Sequence, residues 1–150
     1  MDRVPEKLEA ARAFGATHVA TPDELGDAVK ELTGGLGFDY AFEVVGRSAT
    51  IRQAWQATRR GGTTVVVGAG SRDDLVTFSA AELFATERRL VGCLYGSGDV
   101  RTDFGRLLRL WRAGRLDLEG LISRRITLDG VGEAFTAMGS GDVIRSLVVF

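Results

Sequence analysis

The chain has 150 residues, of which 45% are hydrophobic and 26% charged, and its formal net charge is -1. These values are typical of a globular domain and argue against a disordered, fibrous, membrane-embedded or nucleic-acid-binding chain. The first residues lack the apolar core of a signal peptide, and no stretch approaches the roughly 20 apolar residues of a membrane helix. We therefore expect one cytoplasmic unit over residues 1–150, with about 70% of its unfolded surface buried.

The first part of the chain alternates helical and extended patterns. A proline, apolar residues at helical spacing and a following glycine predict a helix over residues 5–14. The stretch THVA at 17–20 predicts a short strand. Thr21 and Pro22, followed by two acidic residues, predict the start of a second helix that ends at the glycines beginning with Gly34.

The central part repeats this alternation with stronger signals. FDYAFEVVG at 38–46 predicts a strand, and SATIRQAWQATRR at 48–60 predicts a helix that the next two glycines end. TTVVVG at 63–68 is a continuous apolar run, as expected of a parallel strand covered on both faces. The stretch 79–96 then predicts another helix and strand.

The last part predicts a helix at 102–114, a short extended stretch at 121–129, a short helix at 129–138 and a terminal strand at 146–150. One face of the first of these helices carries the apolar residues Phe104, Leu107, Leu108 and Trp111. Alternating strands and helices favour an α/β fold with a doubly wound parallel sheet.

A glycine-rich turn, VVVGAGSRDD at 65–74, directly follows a predicted strand. Phosphate-binding loops need glycines and a helix N-terminus that attract the anion. This turn lacks the third glycine of GxGxxG, carries two aspartates that repel phosphate, and precedes no helix before Ser79. We therefore interpret it as a tight turn at a strand end.

Few residues suit catalysis or metal binding. Cys93 and His18 are the single cysteine and the single histidine, too few for a zinc site of three or four ligands. Cys93 lies in an apolar strand and is interpreted by itself as a small buried residue. His18 is interpreted as structural, and no Ser-His-Asp set is indicated. Asp2 by itself is a solvated residue near the terminus.

Several stretches, in register over essentially the whole chain, resemble a known family. They are DxxxxKLxxAxxFGAT, GxDYAFEVVG, RxGGTxVVVG, GCLYGS and GDVIRSLVVF. They resemble the zinc-type alcohol dehydrogenases of the medium-chain dehydrogenase/reductase superfamily. Within it the chain looks most similar to the class III-like, thiol-dependent formaldehyde dehydrogenases, including the mycothiol-dependent bacterial type.

The resemblance implies an NAD site. On the adenosine side it implies Asp2 and Lys7 as contacts to the ribose, with an adenine-side wall formed by Val44, Val45, Gly46 and Arg47. On the nicotinamide side it implies Val67, Gly68 and Ala69, with backbone groups of Cys93 and Tyr95 at the carboxamide. Arg145 resembles the arginine that neutralises the pyrophosphate, although Arg47 and Arg145 read by themselves as surface arginines. The acid at position 2 favours NAD over NADP, because a 2′-phosphate would meet a carboxylate.

The resemblance also implies parts that this chain does not contain. Family members carry a catalytic domain with zinc sites, then a first Rossmann strand with its GxGxxG loop. We therefore expect a Rossmann-type sheet truncated at its N-terminus, no catalytic or metal-ligating residue, and zinc only in the missing domain. NAD binding is expected to be weak or absent, and the strand at 38–45 is expected to be an exposed apolar edge.

By family, the implied activity is NAD-dependent oxidation of an alcohol or a thiol hemiacetal, or reduction of the corresponding aldehyde. We expect no turnover by the isolated chain, interpreted as a gene fragment or a reading frame started late. RLVGCLYG resembles the strand through which these dehydrogenases form homodimers. The alternatives are a non-catalytic module that pairs with a full-length dehydrogenase, and an enzyme completed by another chain. The sequence does not identify the substrate.

Overall fold

The computed structural model describes residues 1–141 and 143–150, so that Asp142 of the GDVIRSLVVF motif lies outside the described residues. The chain divides into two compact units. The first unit comprises Met1–Arg3 and Gly15–Ser97, and the second comprises Val4–Phe14 and Gly98–Phe150. Each unit contains its own parallel sheet.

The elements follow the alternation expected from the sequence. The helices are α1 (Pro5–Ala13), α2 (Leu25–Thr33), α3 (Ser48–Ala57), α4 (Ala80–Thr86), α5 (Val100–Arg112) and α6 (Val131–Ser140). The strands are β1 (Phe38–Glu43), β2 (Thr58–Val66), β3 (Arg89–Gly92), β4 (Arg124–Ile126) and β5 (Ser146–Val148). Short 3-10 turns lie at Tyr95–Ser97, Glu119–Leu121 and Leu128–Gly130.

The sheet of the first unit has three parallel strands in the order β1-β2-β3. This arrangement confirms the predicted parallel α/β fold. It also leaves β1 at an edge of the described sheet, as expected from the sequence. The alternate residues Tyr40 and Phe42 of this strand are 64% and 66% exposed. The edge strand therefore presents an apolar surface to solvent.

The strand predicted at THVA is absent from the described structure, in which residues 17–20 belong to no sheet. Asp2 N donates a hydrogen bond to Ala20 O at 3.3 Å, which holds this segment without forming a ladder. The prediction was wrong because a strand is defined by its pairing partner, which a local pattern does not supply.

Two helix boundaries differ from the prediction, the start of α2 and the end of α3. Helix α2 begins at Leu25 rather than at Pro22, because the backbone N–H and hydroxyl of Thr21 donate to Glu24 Oε2 at 2.8 and 2.9 Å in a preceding turn. Those hydrogen bonds lower the pKa of Glu24. Helix α3 ends at Ala57 rather than at residue 60, because Thr58 already lies in β2 and its hydroxyl bonds Thr64 Oγ1 at 2.9 Å.

The core of the first unit is built around Trp55, whose side chain is fully buried. Its ring meets Phe78 edge-on at a centroid distance of 5.0 Å, and its Nε1 donates to Glu82 Oε1 at 2.7 Å. Arg52 Nη1 donates to both Glu82 oxygens at 3.0 and 3.1 Å, and the Arg88 guanidinium lies 5.5 Å from the centroid of the indole ring. These contacts tie α3 to α4 through one satisfied polar cluster.

The pKa of Glu82 is lowered from 4.5, chiefly because Arg52 donates hydrogen bonds to its carboxylate. A lowered folded-state pKa stabilises the protein above the unfolded value, and this contribution is lost as pH falls through the folded value. We therefore expect the urea midpoint of the native chain to exceed that of Glu82→Gln at pH 7, with the difference shrinking below pH 4.5. Glu31→Gln, an exposed position, is the matched control. A difference that grows with acidification would contradict this expectation.

The second unit contains the two-stranded parallel sheet of β4 and β5, with Ala134 of α6 and Val143 buried. Helix α5 buries none of its residues. Its predicted apolar face is therefore exposed in this structure, at Phe104, Leu107, Leu108 and Trp111.

The chain exposes 11237 Å² of surface. A folded monomer of 16.1 kDa exposes about 7,400 Å² by the scaling of surface with mass. The expected burial of about 70% was therefore wrong, and roughly half of the unfolded surface is buried. Many large apolar side chains are exposed, among them Phe42, Phe84 and Leu94.

Candidate functional site

The three parallel strands of the first unit end at the same edge of the sheet. The segments after them are linked by backbone hydrogen bonds. Val67 N and Gly68 N donate to Glu43 O at 2.7 and 3.1 Å, and Cys93 N donates to Val66 O at 2.8 Å. We call the residues 44–47, 67–70 and 93–95 the carboxyl edge, which is the usual place for ligands in open parallel sheets.

Glycines let two backbones of the carboxyl edge approach each other closely. Gly46 has a φ of +81°, and a Cβ there would lie 2.6 Å from the carbonyl of Ala69. A Cβ at Gly68 would overlap Gly46 N and lie 2.6 Å from the Val45 carbonyl carbon. The turn after β1 and the turn after β2 therefore fit together only without side chains at these positions.

The sequence interpretation missed Glu43, the last residue of β1, which is 4% exposed. Its Oε1 accepts hydrogen bonds from Val45 N and Gly46 N at 2.8 Å each and from Thr50 Oγ1 at 2.7 Å. Among the described residues, its Oε2 is buried without a hydrogen-bond partner. The available signal was a charged residue inside the apolar run FDYAFEVVG.

The N-terminus of α3 is another feature of this region. Ser48 N donates to Asp74 Oδ2 at 2.9 Å, and hydrogen bonds from Ser48 lower the pKa of Asp74, with a smaller contribution from the charge of Arg47. A carboxylate of the chain itself thus occupies a position that suits anions. This geometry agrees with the interpretation of 65–74 as a strand-end turn, because Asp74 meets the helix where a phosphate would bind.

Most of the residues implied for the NAD site lie on the carboxyl edge. These residues are Val44, Val45, Gly46, Arg47, Val67, Gly68, Ala69, Cys93 and Tyr95. The valines form an exposed apolar surface around the buried Gly46, and Cys93 is half-buried. Tyr95 is exposed and has a φ of +49°, which is uncommon for a residue other than glycine. Asp2 is half-buried in the same unit.

Two implied residues belong to the second unit. Lys7 lies on α1 and lines a cavity of about 430 Å³ together with Ser123 and Gly141. Arg145 precedes β5 and lines a different, largely apolar cavity of about 370 Å³. Its carbonyl accepts a hydrogen bond from Ser123 N at 2.9 Å. Within this unit, Lys7 and Arg145 thus line two different cavities.

Neither a metal site nor a membrane span is found in the part of the chain that the structure describes. Within residues 1–141 and 143–150, no three His, Cys, Asp or Glu side chains are grouped as a metal ion requires. No helix formed by these residues combines the length and the apolar character needed to cross a bilayer.

A parallel α/β fold with a glycine-lined edge at its strand ends is the architecture of the doubly wound proteins, which include the dinucleotide-binding domains. The fold matches the Rossmann-type cofactor-binding domain of alcohol dehydrogenases. It superimposes on benzyl alcohol dehydrogenase from Acinetobacter calcoaceticus with a TM-score of 0.89 and 26% identity, covering 98% of this chain and 41% of that one.

The family model for zinc-binding dehydrogenases matches residues 1–112, and the chain belongs to this family. It is 34% identical over 153 residues to the NDMA-dependent alcohol dehydrogenase of Amycolatopsis methanolica. This alignment covers 99% of this chain and 41% of the relative. It is 29% identical over 152 residues to the class-3 alcohol dehydrogenase of Myxine glutinosa, with 99% and 40% covered. The chain thus spans about two fifths of the length of these relatives.

Proposed function

We propose that this chain is the cofactor-binding portion of an NAD-dependent alcohol dehydrogenase. The observation that carries the proposal is the glycine-lined carboxyl edge, where Gly46 and Gly68 bring two strand ends together beside exposed valines. Family membership supports an oxidoreductase that transfers a hydride between an alcohol and NAD. An alcohol, or a thiol hemiacetal as in the thiol-dependent formaldehyde dehydrogenases, is our proposal for the substrate of the complete enzyme.

We assign residues of the first unit to both ends of the cofactor. In the proposal, the Asp2 carboxylate takes the ribose hydroxyls, and the segment 44–47 contacts the adenine. Val67, Gly68 and Ala69 lie near the nicotinamide, while backbone groups of Cys93 and Tyr95 bind its carboxamide. The bound dinucleotide supplies the hydride acceptor, and the chain's own groups bind and orient it. The roles of Lys7 and Arg145 stay predictions from the sequence.

Zinc, which the family name implies, does not fit the described residues. A catalytic zinc takes three protein ligands and keeps one open position, and the described residues contain no such group. We assign no catalytic residue to this chain and expect no turnover by the isolated 150 residues. Alcohol- or formaldehyde-dependent NADH formation by the purified chain would overturn that expectation.

Cofactor binding is tested by titrating the purified chain with NADH and NADPH, following nicotinamide fluorescence. We expect weak binding that favours NADH, because a carboxylate at position 2 repels a 2′-phosphate. Asp2→Asn is expected to weaken NADH binding about tenfold, or about 1.4 kcal/mol, and to narrow the preference over NADPH. Asp23→Asn, in the exposed turn before α2, is the matched control and is expected to change neither value. Equal binding of both dinucleotides by the native chain would contradict the assignment of Asp2.

A second candidate is a non-catalytic module that pairs with a full-length dehydrogenase. The observation favouring it is the exposed apolar edge strand β1, in which Tyr40 and Phe42 are each more than 60% exposed. At the opposite edge, β3 exposes Leu90 and Val91, which suits the homodimer proposed from the sequence. Unpaired strand edges of this kind recruit further strands.

The two candidates are separated by mixing the chain with a full-length alcohol dehydrogenase of the family. A stable mixed complex measured by light scattering favours the module. Activity that appears when the chain is mixed with one that supplies the catalytic domain and first strand, and that is absent from either preparation alone, favours an enzyme that another chain completes. A monomer that binds NADH and forms no complex counts against both pairing models and leaves the cofactor-binding proposal in place.

A further inference from the structure

We propose that Glu43 is a positioning residue for the carboxyl edge, and that its carboxylate sets nucleotide affinity by fixing the turn after β1. The inference rests on the proposed function, because the affinity concerned is that of the NAD site. Glu43 acts through the backbone groups that it holds.

Glu43 is hydrogen-bonded to both of the turns that approach each other, the one after β1 and the one after β2. On one side, its Oε1 accepts hydrogen bonds from Val45 N and Gly46 N at 2.8 Å. On the other side, its backbone oxygen accepts from Val67 N and Gly68 N at 2.7 and 3.1 Å. One residue thus contacts the proposed adenine-side wall through its side chain and the proposed nicotinamide side through its main chain.

The conformation after β1 needs such a fixed acceptor. Gly46 has a φ of +81° and is buried, and its N–H has to find a partner inside the protein. The carboxylate supplies one acceptor oxygen for two successive N–H groups, and hydrogen bonds to a charged group are stronger than neutral ones. Thr50 Oγ1 donates to the same oxygen at 2.7 Å and so orients the carboxylate from α3.

The position of Glu43 is a costly one for a carboxylate, because the residue is only 4% exposed. Burying a carboxylate is costly, and no described basic residue forms a salt bridge with Glu43. Its Oε2 is also buried without a hydrogen-bond partner among the described residues. An apolar side chain at the end of β1 would avoid both costs but could not accept the two N–H groups. The carboxylate therefore serves to define the turn.

The test compares Glu43→Ala with the conservative Glu43→Gln, using Asp39→Asn as the control. Asp39 lies on the same strand, and its exposed carboxylate pairs with Arg59 at 2.6 Å. The first readout is amide exchange at Val45 and Gly46 by NMR, and the second is the Kd for NADH. Glu43→Ala is expected to accelerate exchange at both amides and to raise the Kd, each about tenfold. Glu43→Gln keeps an acceptor, so its amide exchange and its Kd for NADH are expected to stay close to those of the native chain. Asp39→Asn is expected to change neither the amide exchange nor the Kd.

The outcomes separate the possible roles. If Glu43→Ala lowers the Tm but leaves both amide exchange and the Kd unchanged, the positioning role is wrong. If Glu43→Ala does not fold, Thr50→Val removes one of the three donors and is expected to shift both readouts in the same direction by a smaller factor. A native chain that does not bind NADH contradicts the weak binding proposed above and removes the effect on affinity. Exchange at Val45 and Gly46 then still decides whether Glu43 fixes the turn.

Discussion

Alanine at position 68 is expected to lower the free energy of unfolding by about 3 kcal/mol or more, the upper range for overpacking. The added Cβ would overlap Gly46 N and lie 2.6 Å from the carbonyl carbon of Val45. Neither backbone can easily move away, because Gly46 N and Gly68 N are both hydrogen-bonded to Glu43. The same change should abolish NADH binding, since it separates the two turns of the carboxyl edge.

The measurement is urea unfolding followed by far-UV circular dichroism, together with an NADH titration. Gly92→Ala is the matched control, because Gly92 ends β3 at the same edge and a Cβ there meets no atom within 4 Å. We expect Gly92→Ala to change stability by less than about 0.5 kcal/mol. Gly68→Ala with native stability would show that the two turns are not packed as described.

Truncation of Trp55 is the second large effect, with an expected loss of about 3 to 5 kcal/mol for Trp55→Ala. The side chain is fully buried, packs edge-on against Phe78 and satisfies Glu82 through its Nε1. Removing the side chain leaves a cavity between α3 and the elements around it. It also takes one hydrogen-bond donor from the Glu82 carboxylate, to which Arg52 still donates. We expect the unit that contains β1, β2 and β3 to lose cooperative unfolding first.

A second variant separates the packing of Trp55 from its hydrogen bond. Trp55→Phe keeps a ring against Phe78 but loses the hydrogen bond to Glu82, so it is expected to cost about 1 to 3 kcal/mol. Trp111→Ala is the control, because Trp111 is 40% exposed on α5 and is expected to cost less than Trp55→Ala. Urea unfolding by circular dichroism measures all three. Equal losses for Trp55→Ala and Trp111→Ala would contradict the placement of the core.

Local sequence signals predicted most of the elements. Helix α1, the start of α3 at Ser48 and the strand β1 lie where periodicity, proline and glycine placed them. The segments 44–47 and 67–69 were implied as site residues by family resemblance and lie together on one edge. They do so because parallel strands bring their carboxyl ends to the same side of a sheet.

The wrong or missing predictions share one physical cause: each feature depends on residues far away in the chain. The predicted strand at 17–20 has no ladder in the described structure, and β2 begins at Thr58 because it pairs there with Phe38. The role of Glu43 was not predicted, because its three hydrogen-bond donors belong to a turn and a helix whose positions around it the local pattern does not specify.

The amino-acid sequence alone indicated the family, most of the helices and strands, and the glycines at positions 46 and 68. These properties follow from residue identity and from short-range patterns along the chain. Only the tertiary structure decided that Gly46 and Gly68 face each other, that Glu43 ties their backbones together, and that Asp74 occupies the N-terminus of α3. Those relations depend on distances between segments far apart in the chain, and packing sets such distances.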